Sequence, residues 1–163
     1  MFDARLKERM ATRKAHRRRD ISVGEFNPAR VLFRVEVELV ADRKAVDPAV
    51  QKIMAKLRKA GCADGKEEVI ELALSEALAN AVVHGCKADP SKKVDCLLAC
   101  DENHAILIVV RDEGDGFNPD KIPSPLLGEN VCATRGRGIF LINQLMDEVR
   151  FHKNGTEIHM IKR

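Results

Sequence analysis

The apolar positions of this 163-residue chain repeat with two periods, and each period predicts an element. Phe33, Val35, Val37 and Leu39 alternate with Arg34, Glu36 and Glu38, the period of two that a half-buried strand requires. Val50, Ile53, Leu57 and Ala60 then recur at helical spacing; Asp47 reads as the N-cap, Pro48 as the first helical residue and Gly61 as the stop. Asp64 and Glu67 read as a variant capping box opening a long helix through about His84, which Gly85 terminates. Residues 93–100 and 105–111 read as strands joined by a tight connection, and the run Ile106 to Val110, apolar on both faces, predicts a central strand. A Gly- and Pro-rich stretch over 112–136 reads as a long loop, the kind that is functional or mobile inside a compact domain. A short helix from about Arg137 to Met146 follows, then strands near 148–153 and 156–162 turned by Asn154-Gly155, a strong hairpin signal.

Too few helices alternate with strands for a parallel sheet. The pattern predicts an α+β protein, a two-layer α/β sandwich with a mixed, mostly antiparallel sheet and helices on one face. The length suits one domain, able to bury about 70% of its unfolded surface. The boundaries expected are a basic arm and linker over residues 1–30 and the folded domain over 31–163. Charge separates these two parts. Residues 1–19 carry eight Lys/Arg against Asp3 and Glu8, a net +6, whereas the rest of the chain is at −3.

Composition removes several function classes. No apolar run approaches a membrane span and the N-terminal residues lack the apolar segment of a secretory signal, so a cytoplasmic protein without membrane attachment is expected. The five cysteines, at 62, 86, 96, 100 and 132, form no C-x-x-C pair, which argues against disulfides and structural zinc; Cys96 and Cys100 share parity with Val94 and Leu98 and read as small buried hydrophobes. With no Trp or Tyr and six Phe, there is little material for stacking nucleic-acid bases. Arg17-Arg18-Arg19 leaves nucleic-acid phosphate binding open for the arm alone, beside the plainer reading of a solvated tail.

Three features carry candidate chemistry. Glu76 and Asn80 are i,i+4 neighbours, so they project from one face of a helix made slim by Ala73, Ala77, Ala79 and Ala81. Asp112-x-Gly114-x-Gly116 follows the central strand, where an ordinary turn needs one glycine and no acid. Gly136-Arg137-Gly138 precedes the apolar run Ile139 to Ile142 and offers free N–H groups at a helix start, an anion site. A dinucleotide fingerprint fails because Leu141 stands where its third glycine belongs; the phosphate loop of P-loop proteins and the kinase H-R-D loop are absent.

In this order, with Gly155-Thr156 at the end, the motifs resemble the N, G1 and G2 boxes and terminal Gly-Thr of the GHKL ATPase superfamily. Ser75-Glu76-Ala77-Leu78-Ala79-Asn80-Ala81, His84-Gly85 and the ending Thr156 to Met160 resemble the anti-sigma-factor serine kinases of bacterial partner-switching systems. The resemblance covers about residues 31–162 and implies ATP and Mg²⁺ as cofactors. It implies that Asp112 accepts from the adenine amino group, that Gly114 and Gly116 let the base lie close, and that Thr156 supports it through water. Asn80 would give its amide oxygen to Mg²⁺, Glu76 would be the general base, and Gly136 and Gly138 would cradle phosphate. Arg135 or Arg137 would neutralise charge on the transferred group; the sequence does not rank them. Residues 117–135, with Pro119, Pro123 and Pro125, would form the ATP lid, and His84 reads as a capping or core histidine rather than a catalytic one.

The function the resemblance implies is an ATP- and Mg²⁺-dependent protein serine kinase and anti-sigma factor, and the same resemblance implies a sigma factor and an anti-sigma-factor antagonist as partners and a homodimer as the assembly. The alternatives are an ATP-responsive binding module without kinase activity and the ATP-binding part of a histidine kinase system. The latter lacks room for a phosphoacceptor hairpin, since only His16 precedes the domain.

Overall fold

The computed structural model describes residues 26–121 and 134–163. Most of the basic arm, the greater part of the expected lid, and Cys132 lie outside these residues. The chain runs β1 (Val31–Val40), a 3-10 turn (Arg43–Ala45), α1 (Val46–Ala60), α2 (Glu67–Asn80), a π turn (Ala81–Gly85), β2 (Lys93–Asp101) and β3 (Ile106–Asp112). A second 3-10 turn (Pro119–Lys121), α3 (Thr134–Leu145), β4 (Glu148–His152), a third 3-10 turn (Lys153–Gly155) and β5 (Glu157–Lys162) complete it. The strands form one sheet in the order β1-β2-β3-β5-β4. Every pair is antiparallel, so the sheet holds none of the parallel pairing that a mixed sheet allows. That topology follows from connections too short for parallel crossovers, except where α1 and α2, and later α3, lie between strands.

Three helices cover one face. Ile53, Met54 and Leu57 of α1, Ile70, Leu74 and Leu78 of α2 and Ile142 of α3 are at most 1% exposed. They meet Val94, Cys96, Leu98 and Cys100 of β2, Ile106, Ile108 and Val110 of β3, and Ile158 and Met160 of β5. Each large apolar side chain so buried stabilises the fold by about 1.5–3 kcal/mol before entropy is counted. The cysteines at 96 and 100 behave as the parity predicts, and burial raises both thiols to about 12. The opposite face carries a smaller cluster of Ala99, Ala105, Leu107 and Ile161 closed by Phe26. Asn27 N–H, next to Phe26, donates to the buried Asp101 carboxylate at 2.8 Å, so part of the stretch read as linker packs against the sheet.

Three boundaries of α1 and α2 differ from the sequence reading. Asp42, not Asp47, is the capping acid before α1: its side chain accepts from Lys44 N–H, the 3-10 turn intervenes, and Asp47 falls inside the first helical turn. Asp64 sits at φ +50° and makes no cap; α2 starts after Lys66 without a side-chain cap, with Glu67 and Glu68 facing the positive end of the helix dipole. Regular α geometry ends at Asn80, and the expected last turn is wound as π, with Cys86 N–H reaching Ala81 C=O at 2.8 Å. One extra residue in a turn leaves the hydrophobic spacing almost unaltered, which is why periodicity does not reveal it.

Candidate functional site

The sheet and helices α2 and α3 border an open cleft, about 370 Å³ counting the space continuous with solvent, lined by Ala77, Asn80, Val110, Asp112, Ile139 and Thr156, among others. Its lining follows from two periodicities. On β3 and β5 and at the residue before β5, Val110, Asp112, Ile158 and Thr156 share the parity that faces the helices; Ala77 of α2 and Ala81 at the start of the π turn present only methyl groups and leave room beside Asn80.

Asp112 is held from several directions. Its own N–H donates to Thr156 C=O at 2.9 Å, and its Oδ1 accepts from Gly114 N–H at 2.8 Å. The π turn delivers Gly85 against the carboxylate: a Cβ there would lie 2.4 Å from Asp112 Cγ. A Cβ at Gly114 would lie 2.1 Å from Gly85 O. The backbone therefore approaches the acid so closely that neither position has space for a side chain. Gly116, at φ +80°, lies against the β4–β5 turn, where a Cβ would meet Asn154 O at 2.1 Å. These glycines are thus required by contacts within the protein, a reason that their spacing in the sequence does not display.

Glu76 and Asn80 converge on α3. A Cβ at Gly138 would fall 2.9 Å from Glu76 Oε2 and 3.0 Å from Asn80 Nδ2. Asn80 Nδ2 is buried with no hydrogen-bond partner, a donor left for a ligand to satisfy. The helix α3 begins at Thr134, three residues before the expected start, so Gly136 and Gly138 do not precede the helix but lie inside it. Gly136 remains in the first turn, where N–H groups lack helical acceptors; Gly138 is the fifth residue, whose N–H falls to the Thr134 carbonyl in a regular α-helix. Its use here is close approach to Glu76 and Asn80. Arg135 belongs to the same first turn, and Arg137 is exposed.

Thr156 lines the cleft, but its hydroxyl donates to Lys153 C=O at 2.9 Å. The hairpin turn expected at Asn154-Gly155 is wider than read: β4 ends at His152, β5 starts at Glu157, and Lys153, Asn154 and Gly155 stand at φ +52°, +55° and +82°. Two aromatic residues escaped the sequence reading. Phe117, counted there as the first lid residue, is tied to the hairpin by its N–H to Asn154 C=O at 2.7 Å, and its ring meets Phe151 edge-on at 5.4 Å. Both line the cleft. A large hydrophobe directly after Gly116 was the available signal for Phe117; for Phe151 the inward parity on β4 was the signal. His84 is half-buried in the π turn.

Among the described residues no three His, Cys, Asp or Glu are grouped to hold a metal. The donor set fits a hard cation only where one amide oxygen, that of Asn80, is supplemented by oxygens from a bound phosphate chain and water.

The family model of the histidine kinase-like ATPase domain matches residues 39–162. The serine-protein kinase RsbW of Staphylococcus epidermidis is 33% identical over 137 residues, covering 78% of this chain and 85% of that protein. RsbW of Staphylococcus aureus is 30% identical over 135 residues, with the same two coverages. The anti-sigma F factor of Bacillus cytotoxicus is 35% identical over 103 residues, 59% of this chain and 70% of the relative. With a two-layer fold, a cleft between sheet and helices, and this likeness over most of its length, the chain belongs to the histidine kinase-like ATPase family, beside proteins named as serine-protein kinases and anti-sigma factors.

Proposed function

We propose that the cleft binds ATP with Mg²⁺ and that the protein transfers the γ-phosphoryl group to a serine on a small anti-sigma-factor antagonist, while its other partner is a sigma factor. The observation that carries the reading is the convergence of Asp112 and Thr156 on one side of the cleft with Asn80 on the other, and of Glu76 with Asn80 on Gly138. The kinase and anti-sigma names of the relatives support the choice of acceptor and partners.

In this reading Asp112 accepts from the adenine amino group, its carboxylate oriented by Gly114 N–H and walled by Gly85. Phe117, Phe151, Ile139 and Val110 supply apolar surface to the base. Asn80, with the phosphates, would hold Mg²⁺, and the ion would neutralise charge on the phosphate oxygens. Glu76 takes the proton of the serine hydroxyl as that oxygen bonds to the γ-phosphorus and the bond to the β-phosphate oxygen breaks, leaving ADP and phosphoserine. Backbone N–H groups of the first turn of α3, including Gly136, face the phosphate charge, and Arg135 or Arg137 stabilises the group in flight. A cytoplasmic location accords with this role; no helix of the described residues is long and apolar enough to cross a membrane.

The test is incubation of the purified protein with labelled ATP, Mg²⁺ and the proteins that co-purify with it. Label on a partner serine is expected. ATP binding with no phosphoserine on any partner would instead favour a nucleotide-responsive binding module.

A further inference from the structure

Directly behind the cleft, on the other face of the sheet, lies a polar cluster that the proposed chemistry does not use. Glu157 is 7% exposed and His159 is 9% exposed. Glu157 Oε2 accepts from Arg111 Nε at 2.7 Å and from Lys153 Nζ, while Oε1 lies 2.9 Å from His159 Nε2. The ionised carboxylate can only accept, so Nε2 carries the proton in that contact. From β4, the His152 ring lies 4.2 Å from that of His159, and Arg150 stands opposite His159 in the strand register. His159 hydrogen bonding, joined by Lys153 and Arg111, holds the Glu157 carboxyl well below the usual carboxylate range.

We propose that Glu157 is a positioning residue of the nucleotide cleft: from the back of the sheet it clamps the end of β3 to the β4–β5 turn and so fixes where Asp112 and Thr156 stand. The inference rests on the nucleotide reading of that cleft.

Three placements carry it. Arg111 and Glu157 form the last rung of the β3–β5 ladder, immediately before Asp112 and immediately after Thr156, while Asp112 itself pairs with Val94 of β2 on its other side. Beyond that rung Asp112 N–H donates to Thr156 C=O at the cleft, at the end of the β3–β5 ladder, where fraying starts. Lys153 is gripped by its side chain at Glu157, and its carbonyl receives both Thr156 N–H at 3.3 Å and Thr156 Oγ–H at 2.9 Å. Lys153 and Asn154 also hold left-handed backbone that few non-glycine residues adopt, and such a turn persists where its surroundings over-determine it. An ion cluster around a buried carboxylate adds little net stability compared with apolar packing; its attested use is to select one arrangement. Here the arrangement selected is the one that presents an acid and a hydroxyl to the cleft from two strands.

The test uses the full chain with ADP and with Mg²⁺ and ATP. Glu157→Gln removes the charge and keeps the shape. It should raise the dissociation constant of ADP about 5- to 20-fold, the scale of a charge-assisted contact replaced by a neutral one and a slight displacement of the site. The rate at saturating ATP should stay within about twofold, because Glu76 and Asn80 stand on other elements. Arg111→Gln, at a half-exposed side chain, should weaken ADP binding similarly, and the double variant should be no worse than Glu157→Gln alone. Amide hydrogen exchange at Asp112 should quicken in each variant.

Unchanged ADP affinity with unchanged Asp112 exchange in Glu157→Gln overturns the proposal. So does a fall in saturated rate at unaltered affinity, which is the mark of lost folded protein. If Glu157→Gln does not fold, Arg111→Gln alone decides by the same two readouts. Should the unsubstituted protein bind no ADP, the nucleotide reading fails, and Asp112 exchange still determines whether the clamp exists.

Discussion

The two faces of the β3–β5 pair put their polar groups to different uses. Toward the helices, Asn80 Nδ2 is buried without a partner, and Asp112 stands between glycines that leave no space for a methyl group. Toward the back, Arg111, Lys153 and His159 all converge on one carboxylate. Residues adjacent in the chain contribute to opposite faces, Asp112 beside Arg111 and Thr156 beside Glu157, because a strand turns successive side chains to opposite sides. The cleft face sets an amide donor and a walled acid beside open space, whereas the back face joins the strands through Glu157, with His159 Nδ1 there also buried without a partner.

The largest effects should come from the cleft side. Asp112→Ala should abolish nucleotide binding, weakening it more than about 100-fold, because a ligand amino group would be buried without its acceptor. Glu76→Ala should leave nucleotide affinity nearly intact and slow phosphoryl transfer by about 10²- to 10⁴-fold, the scale of a lost general base. Calorimetric titration beside a phosphoserine assay separates the two, and equal loss of affinity in both variants would contradict the division of labour.

Next comes the backbone wall. Gly85→Ala places a methyl group 2.4 Å from Asp112 Cγ and should displace the acid; about 1–3 kcal/mol of stability should go with it, read from denaturant unfolding, and most nucleotide affinity should be lost.

The back face should show itself through pH. The folded-state Glu157 carboxyl titrates below its ordinary value of 4.5, so the unfolded chain takes up that proton first. Its contribution is full above about 4.5 and fades as pH falls toward the depressed folded value. Urea midpoints measured from pH 7 downward should therefore decline less steeply for Glu157→Gln than for the unsubstituted protein. A parallel decline would remove the carboxylate from the account.

The smallest effect is expected at the cysteines of the core. Cys96 and Cys100, raised to about 12 by burial, should react with a thiol reagent at pH 7 no faster than the protein opens. Rapid labelling at either position in the native state would contradict the burial described here.

Much of this was legible beforehand because it is local. Alternation in β1, the Asn154-Gly155 turn, the doubly apolar β3 and the i,i+4 pair Glu76 and Asn80 all depend on residues within a few positions of one another, and periodicity reports such relations directly. The helix starts misread at Asp47, Asp64 and Arg137 are local too: the acid before Pro48 is a stronger start signal than the cap that forms at Asp42, and a pair of glycines disguised the first turn of α3. The π turn and the packing of Phe26 were not legible, since neither alters a hydrophobic period.

By itself the amino-acid sequence determined the fold class, the faces of most strands and helices, and which acids, amides and glycines were candidates for chemistry. Tertiary structure alone decided that Gly85 lies against Asp112, that Gly138 meets Glu76 and Asn80, and that Glu157 joins Arg111 to Lys153. The reason is physical: hydrophobic periods encode which way a side chain points, whereas contacts between groups dozens of residues apart depend on how the packed elements register against one another, and no local pattern carries that distance.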